Sequence, residues 1–117
     1  MKRKTTKILI LRLSSIGDIL LSTPFIRQVR MTYADAQIDF VLKKQYDDLL
    51  HFNPHINRIF WVEPEKGKEG LRELRRRLQQ EGYDYVFDLH NNFRSRYLTH
   101  PLKATLKKRI HKDKIKQ

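Results

Sequence analysis

The sequence predicts an α/β fold, a three-layer sandwich built around a mainly parallel sheet. Short apolar segments of strand length alternate with longer segments whose apolar residues recur at helical spacing. The connections between them are short and punctuated by Gly, Pro, Asn and Asp. A length of 117 residues suits one domain. Three strand–helix alternations in this order favour parallel strands joined by right-handed crossovers.

The first apolar run, Ile8-Leu9-Ile10-Leu11, is too short for a globular helix and suits a strand buried on both faces. Ser14, Ser15, Gly17 and Asp18 follow at once. Ile16, Ile19, Leu20, Thr23, Ile26, Val29 and Tyr33 then mark a helical stripe. Proline costs roughly 3 kcal/mol inside a helix but is tolerated at its first position. Pro24 therefore predicts a short first turn from Gly17 and a restart at Thr23 that runs to about Tyr33. Residues 37–42 read as a second strand, and 43–52 as a short helix stopped by Asn53-Pro54. A third strand over 56–62 ends at Glu63-Pro64. A helix then runs from Gly67 or Lys68 to Glu81, with Leu71, Leu74 and Leu78 inward and Gly82 as its stop. Tyr85–Leu89 is a fourth strand. From Lys103 the chain is dominated by basic residues, and 104–110 reads either as a fifth strand or as part of a basic tail.

Composition narrows the function. The net charge of +12 points to an anionic partner: nucleic acid, an acidic membrane surface, or phosphorylated or carboxylated substrates. With no cysteine, disulfides, thiolate metal sites and cysteine nucleophiles are excluded. No apolar stretch approaches the roughly 20 residues of a membrane span. Met1-Lys2-Arg3-Lys4 is basic like an export signal, but Arg12 interrupts the apolar run behind it, so export is not predicted. The five histidines lack paired metal-binding spacing, and a metal site is not expected. Neither a Gly-x-Gly-x-x-Gly nor a Gly-x-x-x-x-Gly-Lys-Ser/Thr loop is present, and Ser14 and Ser15 lack the Gly-x-Ser-x-Gly elbow of a serine nucleophile. The arginines at 72, 75, 76 and 77 are interspersed with Glu69, Glu73 and Glu81, as on a solvated helix face.

Two polar clusters each follow a strand, where a parallel α/β sheet places its ligands. In the first, the serine hydroxyls can donate to a ligand oxygen, Gly17 allows close backbone approach, and helix-start amides favour negative charge. Asp18 there is either a helix cap or a general base facing the cleft. The second, Asp88-Leu89-His90-Asn91-Asn92-Phe93-Arg94-Ser95-Arg96, follows the fourth strand. It reads either as a plain turn with Asn91 and Asn92 in left-handed conformations or as part of a binding site.

The segment from Ile8 to Pro24 resembles the amino-terminal signature of the lipopolysaccharide heptosyltransferases, glycosyltransferase family 9: a hydrophobic strand, Arg-x-Ser-x-x-Gly-Asp, then an apolar helix with a Thr-Pro step. The later cluster is similar to that family's Asp-x-Gln-Gly-x-x-(Lys/Arg)-Ser pattern. Asp88, Arg94 and Ser95 match it, while His90 and Asn91 stand where Gln and Gly are usual. The resemblance implies a Rossmann-like acceptor-side domain over residues 1–102, the amino-terminal half of a GT-B enzyme. Residues 103–117 would be a basic tail or the start of a fifth strand, and the donor-binding domain would lie outside this sequence. It also implies inverting transfer from a nucleotide sugar, ADP-heptose in the best-known members, to the lipopolysaccharide core or a similar anionic glycolipid.

Asp18 would then be the base, with Ser14, Ser15, Gly17, His90, Asn92, Arg94 and Ser95 on the acceptor side. No metal or further cofactor is expected. Location would be cytoplasmic and peripheral at the inner membrane, with this domain inactive alone. The alternative is a non-catalytic basic α/β module that binds RNA or an anionic surface. The lysine-rich tail has no interleaved aromatics to stack on bases, which counts against nucleic acid.

Overall fold

A computed structural model describes residues 5–110. Five strands form one parallel sheet: β1 (Lys7–Leu11), β2 (Gln37–Lys43), β3 (Arg58–Val62), β4 (Tyr85–Asp88) and β5 (Leu106–Arg109), in the order β3-β2-β1-β4-β5. Between them lie α1 (Ile16–Leu21), α2 (Thr23–Thr32), α3 (Gly67–Glu81) and α4 (Phe93–Thr99), with 3₁₀ turns at Lys44–Leu49 and Pro64–Lys66. The fifth strand is real and the sheet continues past residue 102, whereas 111–117 lie outside the described residues.

Each strand alternates its side chains between two cores. On one face Ile8, Ile10, Ile38, Phe40 and Leu42 pack with Ile19, Ile26 and Val29 of α1 and α2. On the other, Leu9, Leu11, Val41, Phe60 and Val86 pack with Leu74 and Leu78 of α3 and Leu98 of α4. This makes the predicted three layers. Pro24 sits in the first turn of α2 as expected, with Ser22 rather than Thr23 as the cap residue. The apolar stripe is narrower than its pattern suggests: Ile19, Ile26 and Val29 are buried, but Ile16 and Leu20 face solvent. Residues 44–49 form a 3₁₀ turn rather than the expected short helix over 43–52. Gly82 ends α3 in the left-handed conformation with φ 70°, where a side chain would be strained.

Near the start of β3 a charged cluster ties both sides of the sheet together. Asp39, fully buried, accepts from the Tyr83 hydroxyl at 2.6 Å and pairs with Arg58 at 2.8 Å. Arg58 also reaches Glu81 at 2.6 Å, and Lys7 meets the same carboxylate at 2.6 Å. Burial and the neighbouring Asp39 carboxylate push the Tyr83 hydroxyl well above its ordinary pKa. The hydrogen bonds from Arg58 and Lys7 hold Glu81 below the usual carboxylate range despite its partial burial.

No helix among the described residues is long and apolar enough to cross a membrane.

Candidate functional site at the carboxyl rim of the sheet

The chain leaves β1 toward β2 and β3, then returns to place β4 on the other side of β1. The crevice between β1 and β4 is therefore the point where the strand order reverses, the position at which open α/β sheets bind ligands. Leu11 and Asp88 are register partners there, and both polar clusters start from this pair.

After β1, Arg12 and Leu13 still hydrogen-bond along β2, through Arg12 N to the Val41 carbonyl and Lys43 N to the Leu13 carbonyl. The Ser14–Ser15 peptide is cis, and Ser15 is the N-cap of α1 in extended conformation. The Ser15 hydroxyl donates to Asp18 Oδ2 at 3.3 Å. Arg12 Nη2 meets the same oxygen at 2.8 Å, the two side chains being only 11% and 15% accessible. Asp18 does stand on the rim, but it is not turned freely to solvent as a base facing an open cleft would be. A guanidinium and a hydroxyl hold it. Nη1 of that guanidinium donates to the Leu89 carbonyl at 3.0 Å, so one arginine joins the turn after β1 to the turn after β4.

Asp88 organises the second turn. Oδ1 accepts from the amides of His90 at 3.0 Å and Asn91 at 2.8 Å, and Oδ2 accepts from the Ser95 hydroxyl at 2.8 Å. Arg109 of β5 lies 3.8 Å from Oδ2. Asn91 takes the left-handed conformation with φ 51°, whereas Asn92 is extended and caps α4. Asn92 and Ser95 form a reciprocal capping box, the Asn92 side chain accepting from Ser95 N and the Ser95 hydroxyl from Asn92 N, each bond being part of one helix start. Helix α4 is absent from the sequence-based expectations. Its signal was the Asn-x-x-Ser spacing with Pro101 beyond its end.

The sequence-predicted residues thus divide. Asp18 and Ser15 are joined by Arg12, and His90 lies close enough to feel the charges of Arg12, Asp88, Lys43 and Asp18. Burial, reinforced by Arg12 and Lys43, lowers the His90 pKa below its usual value, so the ring is neutral at pH 7. Its Nδ1 is buried without a partner among the described residues. Asn92 and Ser95 serve the cap of α4. Arg94 is exposed and lines a cavity of about 540 Å³ between α3 and α4. Gly17 is open: a Cβ there would meet nothing within 4 Å.

Two residues outside the expected set belong to the site. One is Arg12, which heads the Arg-x-Ser-x-x-Gly-Asp pattern directly after a buried strand. The other is half-buried Lys43, at the carboxyl end of β2 beside the same rim. The ammonium of Lys43 makes no ion pair or hydrogen bond among the described residues. No group of three or more acidic or histidine side chains among the described residues could hold a metal ion.

No protein-family model matches the chain. Lipopolysaccharide heptosyltransferase 3 of Escherichia coli is 30% identical over 96 residues, covering 78% of this chain and 28% of that protein. The crystal structure of a glycosyl transferase family 9 protein from Veillonella parvula superposes with a TM-score of 0.81 at 28% identity, over 95% of this chain and 33% of that one. Escherichia coli heptosyltransferase WaaC with ADP shares the fold, with a TM-score of 0.74 at 22% identity over 90% of this chain and 34% of its own. The chain thus spans about a third or less of the length of the proteins it matches. Strand–turn–helix signature, sheet order and these likenesses agree: over most of its length the chain is similar to the lipopolysaccharide heptosyltransferases and to a structure of glycosyltransferase family 9.

Proposed function

We propose that this chain is the acceptor-side domain of a glycosyltransferase that moves a sugar, with inversion, from a nucleotide sugar to an anionic glycolipid. ADP-heptose is the donor in this reading and the lipopolysaccharide core the acceptor. The observation that carries it is the Arg12 bridge, which fixes the Asp18 carboxylate at the strand-order reversal between the two rim clusters. In the proposed step Asp18 takes the proton of an acceptor hydroxyl while that oxygen attacks the anomeric carbon. The bond to the nucleotide diphosphate breaks on the opposite face, and the departing phosphates are held by a donor-binding domain outside this sequence.

Ser14, Ser15 and Gly17 border the acceptor. His90 borders the same rim with its half-buried ring, and Lys43 and Arg94 attract the acceptor's carboxylates or phosphates. This chemistry calls for no resident metal or cofactor. The basic surface supports peripheral attachment to the cytoplasmic leaflet, each lysine or arginine near it being worth about 1 kcal/mol.

The test is a chimera in which this chain replaces the matching segment of Escherichia coli heptosyltransferase 3. Asp18→Asn in that chimera is expected to lower turnover by about 10²- to 10⁴-fold. Arg12 loses its charged partner in the variant, so turnover is measured well below the variant's own melting temperature. Unchanged turnover in the Asn variant, or sugar transfer by the isolated 117-residue chain, refutes the mechanism.

A further inference from the structure

We propose that the groove between α3 and α4 is a second anion site, built for a phosphomonoester carried next to an aromatic or sugar ring. A cavity of about 590 Å³ is lined there by Arg75, Phe93, Arg96, Tyr97 and His100 together with two asparagines, and by no carboxylate. The adjoining cavity shares Phe93 and Tyr97 and adds Lys68 and Arg94, again without an acid. Arg72 also lines this second cavity and is the cation there with a carboxylate partner, Glu69 at 2.9 Å.

The donors in the groove are unspent. The Arg75 guanidinium stacks on Tyr97 at 4.3 Å from the ring centroid, yet its Nε is buried and has no acceptor among the described residues. With Nε covered, the guanidinium meets the groove through its terminal amines, which form no ion pair among the described residues. Among the described residues the Arg96 side chain donates through Nε alone, to Asn91 Oδ1 at 3.1 Å, which leaves its terminal amines for a ligand. Two guanidiniums presenting several donors match the three oxygens of a phosphomonoester better than a single carboxylate. Phe93, the first residue of α4, is 87% exposed between these cations. A large ring held in water beside unpaired cations supplies a stacking face for the ring that bears the phosphate. This inference does not depend on the transferase reading, because the groups it rests on, Arg75, Phe93, Arg96 and Tyr97, have no part in that reading.

The experiment is an NMR titration of the 117-residue chain with inorganic phosphate and with phenyl phosphate. Alongside it, the chain is co-sedimented with phosphatidylcholine vesicles with and without phosphatidic acid. Shifts are expected at Arg75, Phe93, Arg96 and Tyr97, with phenyl phosphate bound several-fold more tightly than phosphate. The double variant Arg75→Met/Arg96→Met should weaken binding at least about tenfold, while Arg27→Met/Arg76→Met, equal in charge change, should leave it within about twofold. Phe93→Ala removes an exposed ring without opening the core, and should abolish the preference for phenyl phosphate. Saturable binding of the free phosphates identifies a soluble phosphorylated ligand, and groove-dependent binding to phosphatidic acid vesicles alone identifies a lipid headgroup. Shifts spread evenly over the basic surface, or equal losses in the two double variants, overturn the proposal.

Discussion

Replacing Asp88 with alanine should unlatch the second rim cluster and much of the domain's stability with it. The carboxylate is 1% exposed and accepts three hydrogen bonds, from the His90 and Asn91 amides and the Ser95 hydroxyl. Each bond to a charged acceptor is worth about 1.5–3 kcal/mol, but the three share one group and do not add independently. Removal leaves two amides and a buried hydroxyl seeking partners, and places Arg109 beside an empty pocket. The expected loss is therefore about 3–5 kcal/mol, the range for deleting one member of a buried charged network.

Ser95→Ala keeps the two amide bonds and should cost only about 1–2 kcal/mol. The assay is urea unfolding of the isolated chain, read by circular dichroism, with the double variant completing a cycle. The two changes should be less than additive, because Ser95 donates to the carboxylate that is removed. A loss below about 1 kcal/mol for Asp88→Ala, or strict additivity, would show that Asp88 does not organise the turn.

The remaining predictions concern the residues at the crevice. Burial and the nearby cations lower the His90 pKa below its usual 6.5, so between the folded value and 6.5 the unfolded chain binds more protons. His90 therefore stabilises the fold fully above about pH 7, and that contribution is lost as pH falls through this window, with a slope of at most about 1.4 kcal/mol per pH unit. His90→Asn should flatten the thermal stability profile between about pH 5 and 7, above the range in which Glu63 and Glu81 titrate; an unchanged profile would refute a neutral buried ring. Gly17→Ala should leave the melting temperature equal or slightly higher, since alanine favours a helix by about 1 kcal/mol over glycine and the site has room for its Cβ. Reduced transfer by the chimera at unchanged stability would show that a ligand uses the space; a lower melting temperature would show instead that Gly17 serves the backbone.

The fold was legible in the sequence wherever periodicity and punctuation agreed. Ile8–Leu11, Gln37–Leu42 and Tyr85–Asp88 are strands because they are largely apolar on both faces, and Pro24 and Gly82 break the chain where their backbone chemistry requires, whereas the turn expected to run to Asn53-Pro54 ends at Leu49. The failures have physical causes. Helix α4 is short, and its start is the capping box of Asn92 and Ser95, residues whose polarity resembles that of a binding turn. Ile16 and Leu20 fit the helical stripe, but α1 is only six residues long and buries Ile19 alone. Arg12 opens the Arg-x-Ser-x-x-Gly-Asp pattern yet was given no role, because the pattern does not say what the guanidinium holds, and Lys43 lies in no motif at all. Their importance comes from β2, β1 and β4 lying side by side, which only the strand order reveals.

That strand order also separates the groups that build the rim from those left for a ligand. Arg12 is committed to Asp18 and the Leu89 carbonyl, Asp88 to two amides and a hydroxyl, and Ser95 to both Asp88 and the cap of α4. Replacing any of these should change stability before it changes recognition, because their bonds close within the protein. His90 Nδ1, the Lys43 ammonium and the Arg94 guanidinium have no such bond among the described residues, and Gly17 leaves open space. A buried ring nitrogen without a partner and an unpaired half-buried ammonium weaken a folded domain unless something else completes them. Filling either vacancy from within, with an acceptor or donor for His90 Nδ1 or a carboxylate beside Lys43, should therefore raise the melting temperature, and an unchanged melting temperature would show that neither group is costly where it stands.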